Sequence, residues 1–172
     1  MSDFAGLKNR SIWDNFYLSL DTLPLIEKSR QHKNPMASGL DFDVFKVFGP
    51  SNSMYAVKRS KVGFKKTYKQ LCEFVELLDR VISGPIPYVP PMDLLVERGT
   101  KADPDRLYIV MPWIDVFPRS SSEKSNQVML VEAELEFKNS LAKLGIEMKD
   151  SCQFGKIHDE LFIFDFSSLK LL

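Results

Sequence analysis

Between Leu40 and Ser60 the chain reads LDFDVFKVFGPSNSMYAVKRS, two apolar runs on either side of Gly49-Pro50-Ser51-Asn52. Phe42, Val44 or Phe45, and Val47 alternate roughly with polar residues, the period of a strand with one apolar face. Gly, Pro, Ser and Asn in series favour a chain reversal. The stretch therefore predicts an antiparallel hairpin. Directly after it, FKKTYKQLCEFVELLDRVI sets Tyr68, Leu71, Cys72, Val75, Leu78 and Ile82 three and four residues apart, an amphipathic helix ended by Ser83-Gly84-Pro85.

The remaining segments extend this plan. SIWDNFYLSLDTLPLIEKSRQHK, with Ile12, Phe16, Leu20 and Leu23 at helical intervals and Ser11 as a cap, predicts one or two helices ahead of the sheet. PIPYVPPMDLLVERG is a proline-punctuated connection into a short strand, and RLYIVMPWIDVF is a second strand that Pro112 interrupts. After the PRSSSEKSN loop, QVMLVEAELEFKNSLAKLGI reads as helix and ELFIFDFSSL as a buried strand. The expected fold class is mixed α+β, an antiparallel sheet first and a helical part later. No repeats are seen.

A chain of 172 residues suffices for one domain or two small lobes. Its 23 basic and 23 acidic residues cancel, which gives no bias towards nucleic acid. Cys72 and Cys152 lack the paired spacing of a metal knuckle or redox motif, so reduced thiols in a cytoplasmic protein are expected. No stretch approaches the ~20 apolar residues of a membrane span, and the N-terminus lacks the apolar core of a secretory signal. The expectation is a soluble protein without membrane contact.

Lys58, within the second apolar run, has a plain explanation: alternation turns it to the solvent face of a strand. YAVKRS, however, resembles the protein-kinase strand that carries the nucleotide-binding lysine, with a hairpin before it and a helix after it. That resemblance implies a cation over the α- and β-phosphates of ATP, oriented by a helix carboxylate, either Glu76 or Glu73, with Glu76 nearer the apolar stripe. LYIVMPWID, Leu107 to Asp115, is similar to the last strand and hinge of a kinase N-lobe, with Met111 at the gatekeeper place. Apolar walls from Ala56 and Met111, and the backbone of Trp113 and Ile114, would receive adenine, since Pro112 has no N–H.

LAKLGIEMKDSCQFG resembles the helix and turn that carry the kinase base, which puts Asp150 in that role beside Lys149. LFIFDFSS resembles the metal-binding strand end, with Asp165 as the Mg²⁺ ligand and Ser167 in place of glycine. The pattern's asparagine, five residues after Asp150, is here Gly155. Gln153 serves as a second metal ligand only if that loop is trimmed, because registering Gln153 on the asparagine puts Met148 on the base. Only Gly39 of ASGLDFDVF matches the glycine-rich loop, and Asp41 and Asp43 bring negative charge towards the phosphates.

The resemblance covers roughly residues 36 to 170 and implies a helical extension over 1–35, an N-lobe over 36–111 with one main helix, and a hinge with a truncated, mostly helical C-lobe over 112–172. The chain stops seven residues after Asp165, so an activation segment and peptide platform are expected to be lacking. Such brevity is similar to short kinase-like proteins of bacteriophages and minimal kinases that bacterial pathogens deliver into hosts. Two functions are implied, an ATP/Mg²⁺-binding protein kinase acting on a hydroxyl of a protein substrate, and an inactive kinase-derived protein that docks on a host target, for instance through a Trp13 and Phe16 face.

Overall fold

The computed structural model describes residues 22–117 and 124–172. Ser11, Ile12, Trp13, Phe16 and Leu20 lie outside the described residues. In chain order the elements are α1 (Thr22–Gln31), β1 (Ala37–Ser38), β2 (Phe42–Phe48), β3 (Met54–Ser60), α2 (Tyr68–Ser83), β4 (Asp93–Glu97), β5 (Arg106–Pro112), β6 (Asp115–Val116), α3 (Lys124–Lys143), β7 (Ile146–Met148), β8 (Phe154–Ile157), β9 (Glu160–Ile163) and β10 (Leu169–Leu171). The architecture is mixed α+β with antiparallel pairing throughout.

Five strands form one sheet in the order β1-β2-β3-β5-β4. The predicted hairpin is its centre: β2 pairs β3 from Phe42↔Ser60 to Phe48↔Met54, across a 3₁₀ turn at Pro50–Asn52. Strand alternation gives the sheet two apolar faces. Phe45, Val47, Tyr55, Val57, Tyr108 and Val110 look outward and are covered by Leu25 and Ile26 of α1. Leu23, expected in the apolar stripe of the first helix, is instead 44% exposed. The other face, with Phe42, Ala56, Leu94, Ile109 and Met111, packs on Leu71, Phe74, Val75 and Leu78 of α2.

Thr67 caps α2, its hydroxyl accepting the Gln70 N–H at 3.2 Å, while the Gln70 side chain accepts the Lys66 N–H at 3.0 Å. The first bond satisfies a donor that a helix start leaves open, and the second ties the residue ahead of the cap to the first turn.

The expectation of a mostly helical second part is corrected. Among the described residues after Pro112, α3 is the one helix, and β6 to β10 form a three-stranded sheet, β6-β8-β9, and a β7-β10 pair. These strands are two to four residues long, too short for a period-2 pattern to register in sequence. Ala133, Phe137 and Leu141 of α3 pack with Ile146, Phe154, Ile163 and Phe166 in the same core as α2. No helix among the described residues is long and apolar enough to cross a membrane.

Candidate functional site

A cleft of about 520 Å³ opens between the five-stranded sheet and the short strands that follow it. That volume lies within the range of small-molecule sites. Its roof is the β1-β2 turn, Ala37 to Asp41, with Gly39 near the tip. Ala56, Lys58 and Met111 line it from β3 and β5, and Trp113 and Ile114 from the segment after Pro112. Asp150, Gln153, Phe164 and Asp165 line it from the other side. Residues far apart in the chain, proposed separately, thus share one cavity.

Lys58 does not follow alternation out to solvent. It lies on the same β3 face as Ala56 and is 8% exposed. Its amine donates a hydrogen bond to the Phe164 carbonyl and stands 5.7 Å from the Phe164 ring centroid. Burial lowers its pKa from 10.5 to about 8, and the charge of Asp165 pulls in the opposite direction. At pH 7 the amine remains mostly protonated.

The partner expected for Lys58 is corrected. Glu73 and Glu76 are both exposed, Glu73 pairs with Lys69 at 3.7 Å, and the two acids line a different groove with Lys65, Lys66 and Arg80. The cause is helical phase. Leu71, Phe74, Val75 and Leu78 hold the face towards the sheet, and at ~100° per residue positions 73, 76 and 80 fall on the opposite side. The acid that shares the cleft with Lys58 and acts on its charge is instead Asp165, at the strand exit.

That exit is firmly held. The Phe164 N–H donates to the Gln153 carbonyl at 3.1 Å, and an Asp165 carboxylate oxygen accepts the Ser167 N–H at 3.1 Å. Phe166 is buried with its ring centroid 6.3 Å from that of Phe137 on α3. The alternation Phe162, Phe164, Phe166 therefore does not continue as a strand: the chain turns at 167–168, and Asp165 stays half-buried at the cleft wall. Asp150 is exposed in the loop after β7, its N–H donating to the Ser168 hydroxyl at 3.2 Å.

At the apolar end, the Trp113 N–H is bonded to the Met54 carbonyl at 2.9 Å, so that amide, one of the two expected to receive adenine, is already engaged. Gly155 permits this wall. A Cβ there would lie 2.4 Å from the Ile114 side chain and 2.5 Å from the Asp115 carbonyl, so β8 approaches β6 only without a side chain. At the roof, the Gly39 N–H is bonded to the Phe42 carbonyl at 2.9 Å, so it is not a donor for an anion.

The arrangement fits a nucleotide at two of three places: apolar walls for a base, and a buried cation beside a carboxylate for phosphates and a metal. The roof fits poorly. Among the described residues no three His, Cys, Asp or Glu side chains cluster to hold a metal by themselves. Mg²⁺ on a nucleotide asks less, one or two carboxylates with phosphate oxygens completing its shell. Sequence reasoning missed Phe164, whose carbonyl anchors the amine, because nothing in a sequence marks a backbone carbonyl as a side-chain acceptor. Cys72 and Cys152 are not joined in a disulfide, and burial pushes the Cys152 thiol up to about 12, which keeps it protonated at neutral pH. The chain matches no protein-family model and no curated protein.

Proposed function

We propose that the chain is a minimal kinase-like domain that binds ATP with Mg²⁺ in this cleft and transfers phosphate to a hydroxyl of a protein. The observation that carries the reading is that the buried Lys58 amine and Asp165 line one cleft, walled by Ala56, Met111 and Ile114, with the charge of Asp165 acting on the amine. A cation held out of water by a fixed carbonyl interacts strongly with phosphate oxygens, because little solvent competes. Asp165 and the Gln153 side chain, which line the cleft, would hold Mg²⁺, and the ion would neutralise phosphate charge there. Asp150, exposed at the cleft edge, is open to an incoming hydroxyl and accepts its proton.

Two observations favour a second reading, a kinase-derived protein that binds a host target without catalysis. No α2 carboxylate reaches Lys58, and the Gly39 N–H is already bonded. Thermal melting with and without Mg-ATP separates the readings. Nucleotide at ~100 times its Kd adds about 2.7 kcal/mol to a folded state that alone binds it. No shift in the wild type removes the nucleotide reading. Where a shift occurs, phosphate transfer to a generic protein acceptor should fall by about 10²-fold or more in Asp150→Ala while the shift persists. Equal transfer by both proteins means Asp150 is not the base.

A further inference from the structure

Tyr88 carries its backbone at φ 64°, in the left-handed region that suits glycine and strains a residue with a bulky side chain. Such a residue persists only where its surroundings hold it. It stands in PIPYVPP, the connection from α2 to β4, which Pro85, Pro87, Pro90 and Pro91 stiffen. The contacts that hold it run to elements after Pro112. Its hydroxyl donates to a Glu136 carboxylate oxygen on α3 at 2.6 Å. Its ring meets the Phe154 ring of β8 edge to face, with centroids 6.1 Å apart. Its carbonyl accepts the Ile163 N–H of β9 at 2.8 Å.

Phe154 and Ile163 are themselves register partners, β8 against β9. Tyr88 therefore grips one rung of this hairpin. One residue beyond that rung, the Phe164 N–H donates to the Gln153 carbonyl at 3.1 Å, and both residues line the cleft. The Phe164 carbonyl is the acceptor of the Lys58 amine. A short path of bonds thus runs from the proline-rich connection to the buried cation: Tyr88 to Ile163, Ile163 to Phe164, Phe164 to Lys58. The main chain crosses from the large sheet to the short strands at 112–114, and Tyr88 adds a non-covalent tie between them.

We infer that Tyr88 is a positioning residue for the cleft: its clasp on Glu136, Phe154 and Ile163 fixes the Phe164 carbonyl and, through it, the Lys58 amine. The strain suits that role. The cost of the left-handed backbone is offset by contacts that exist only while α3, β8 and β9 sit in register with the connection, so the clasp has one arrangement and is lost as a unit. Its effect on nucleotide rests on the reading of Lys58 as the phosphate-binding cation; its effect on the amine does not.

The test reads the amine directly, as the rate at which Lys58 of the full chain is acetylated by acetic anhydride at neutral pH, followed by mass spectrometry with the exposed Lys69 as internal reference. Tyr88→Gly accepts the left-handed backbone without strain and removes ring and hydroxyl. Lys58 should react about tenfold faster in it, and about threefold faster in Tyr88→Phe, which loses only the bond to Glu136. The Lys69 rate should not change. Ile26→Ala, in the core away from the cleft, should lower the melting temperature and leave the Lys58 rate at its wild-type value, which separates positioning from loss of stability. A wild-type Lys58 rate in both Tyr88 variants overturns the inference, and so does an equal acceleration in Ile26→Ala. Where Tyr88→Gly does not melt cooperatively, Tyr88→Phe decides alone, and a wild-type rate in it overturns the inference. The apparent Kd for Mg-ATP should rise about tenfold in Tyr88→Gly. No binding by the wild type removes the nucleotide reading and leaves acetylation to decide the clasp.

Discussion

An amine surrounded by apolar groups holds its proton less firmly than one in water, and Lys58 carries that cost into the fold. Below pH 8 folded and unfolded chains both hold the proton and the penalty of burying the charge is complete. Between about 8 and 10.5 the folded chain has released the proton while the unfolded one retains it, so stability rises with pH. The rise should reach at most about 3 kcal/mol, and Lys58→Met should lack it, as urea denaturation at pH 7.5 and pH 10 in the two proteins would read. The same substitution should abolish any stabilisation by Mg-ATP. A pH slope equal in both proteins would place the titrating group elsewhere. Sequence identified this residue by its neighbours Tyr55, Ala56 and Val57 and by the helix that follows. It misassigned the partner, because helix phase is set by which face the sheet buries.

At the scale of elements, the cleft depends on how closely β8 lies against the segment after Pro112, and Gly155 sets that separation. Gly155→Ala should destabilise the protein by about 1–3 kcal/mol, through a contact that cannot relax without parting β6 from β8. Chemical denaturation checks this, and a cost below ~0.5 kcal/mol would mean the two strands shift freely. Sequence reading registered Gly155 only as a departure from an expected asparagine. Its role as a spacer is a tertiary fact, since the atoms it would strike belong to Ile114 and Asp115, some forty residues earlier. By contrast, the apolar period of α2 and its Gly84 stop were legible as local signals, while the Thr67 cap came from the structure.

For the whole molecule, the large sheet separates two cores, one under α1 and one shared by α2, α3 and the short strands. Ile26, fully buried beneath α1, belongs to the core away from the cleft. Ile26→Ala should cost about 2–5 kcal/mol and lower the melting temperature, while the additional shift produced by Mg-ATP should survive. Thermal denaturation with and without nucleotide reads both effects at once. Loss of the nucleotide shift alongside the lower melting temperature would show that the two faces of the sheet are coupled.

What the sequence by itself determined is the material of local periodicity: the hairpin at 42–60, the helix at 68–83, the strands at 93–97 and 106–112, and the acid-bearing stretches around Asp150 and Asp165. Those signals need only neighbours along the chain, because alternation and the 3.6-residue period are backbone properties. The tertiary structure alone decided that Lys58 is buried, that its amine bonds the Phe164 carbonyl and shares a cleft with Asp165 while Glu73 and Glu76 line another groove, and that among the described residues short strands outnumber helices after Pro112. Each of these turns on which surfaces leave water together, and that choice is made by the whole chain at once.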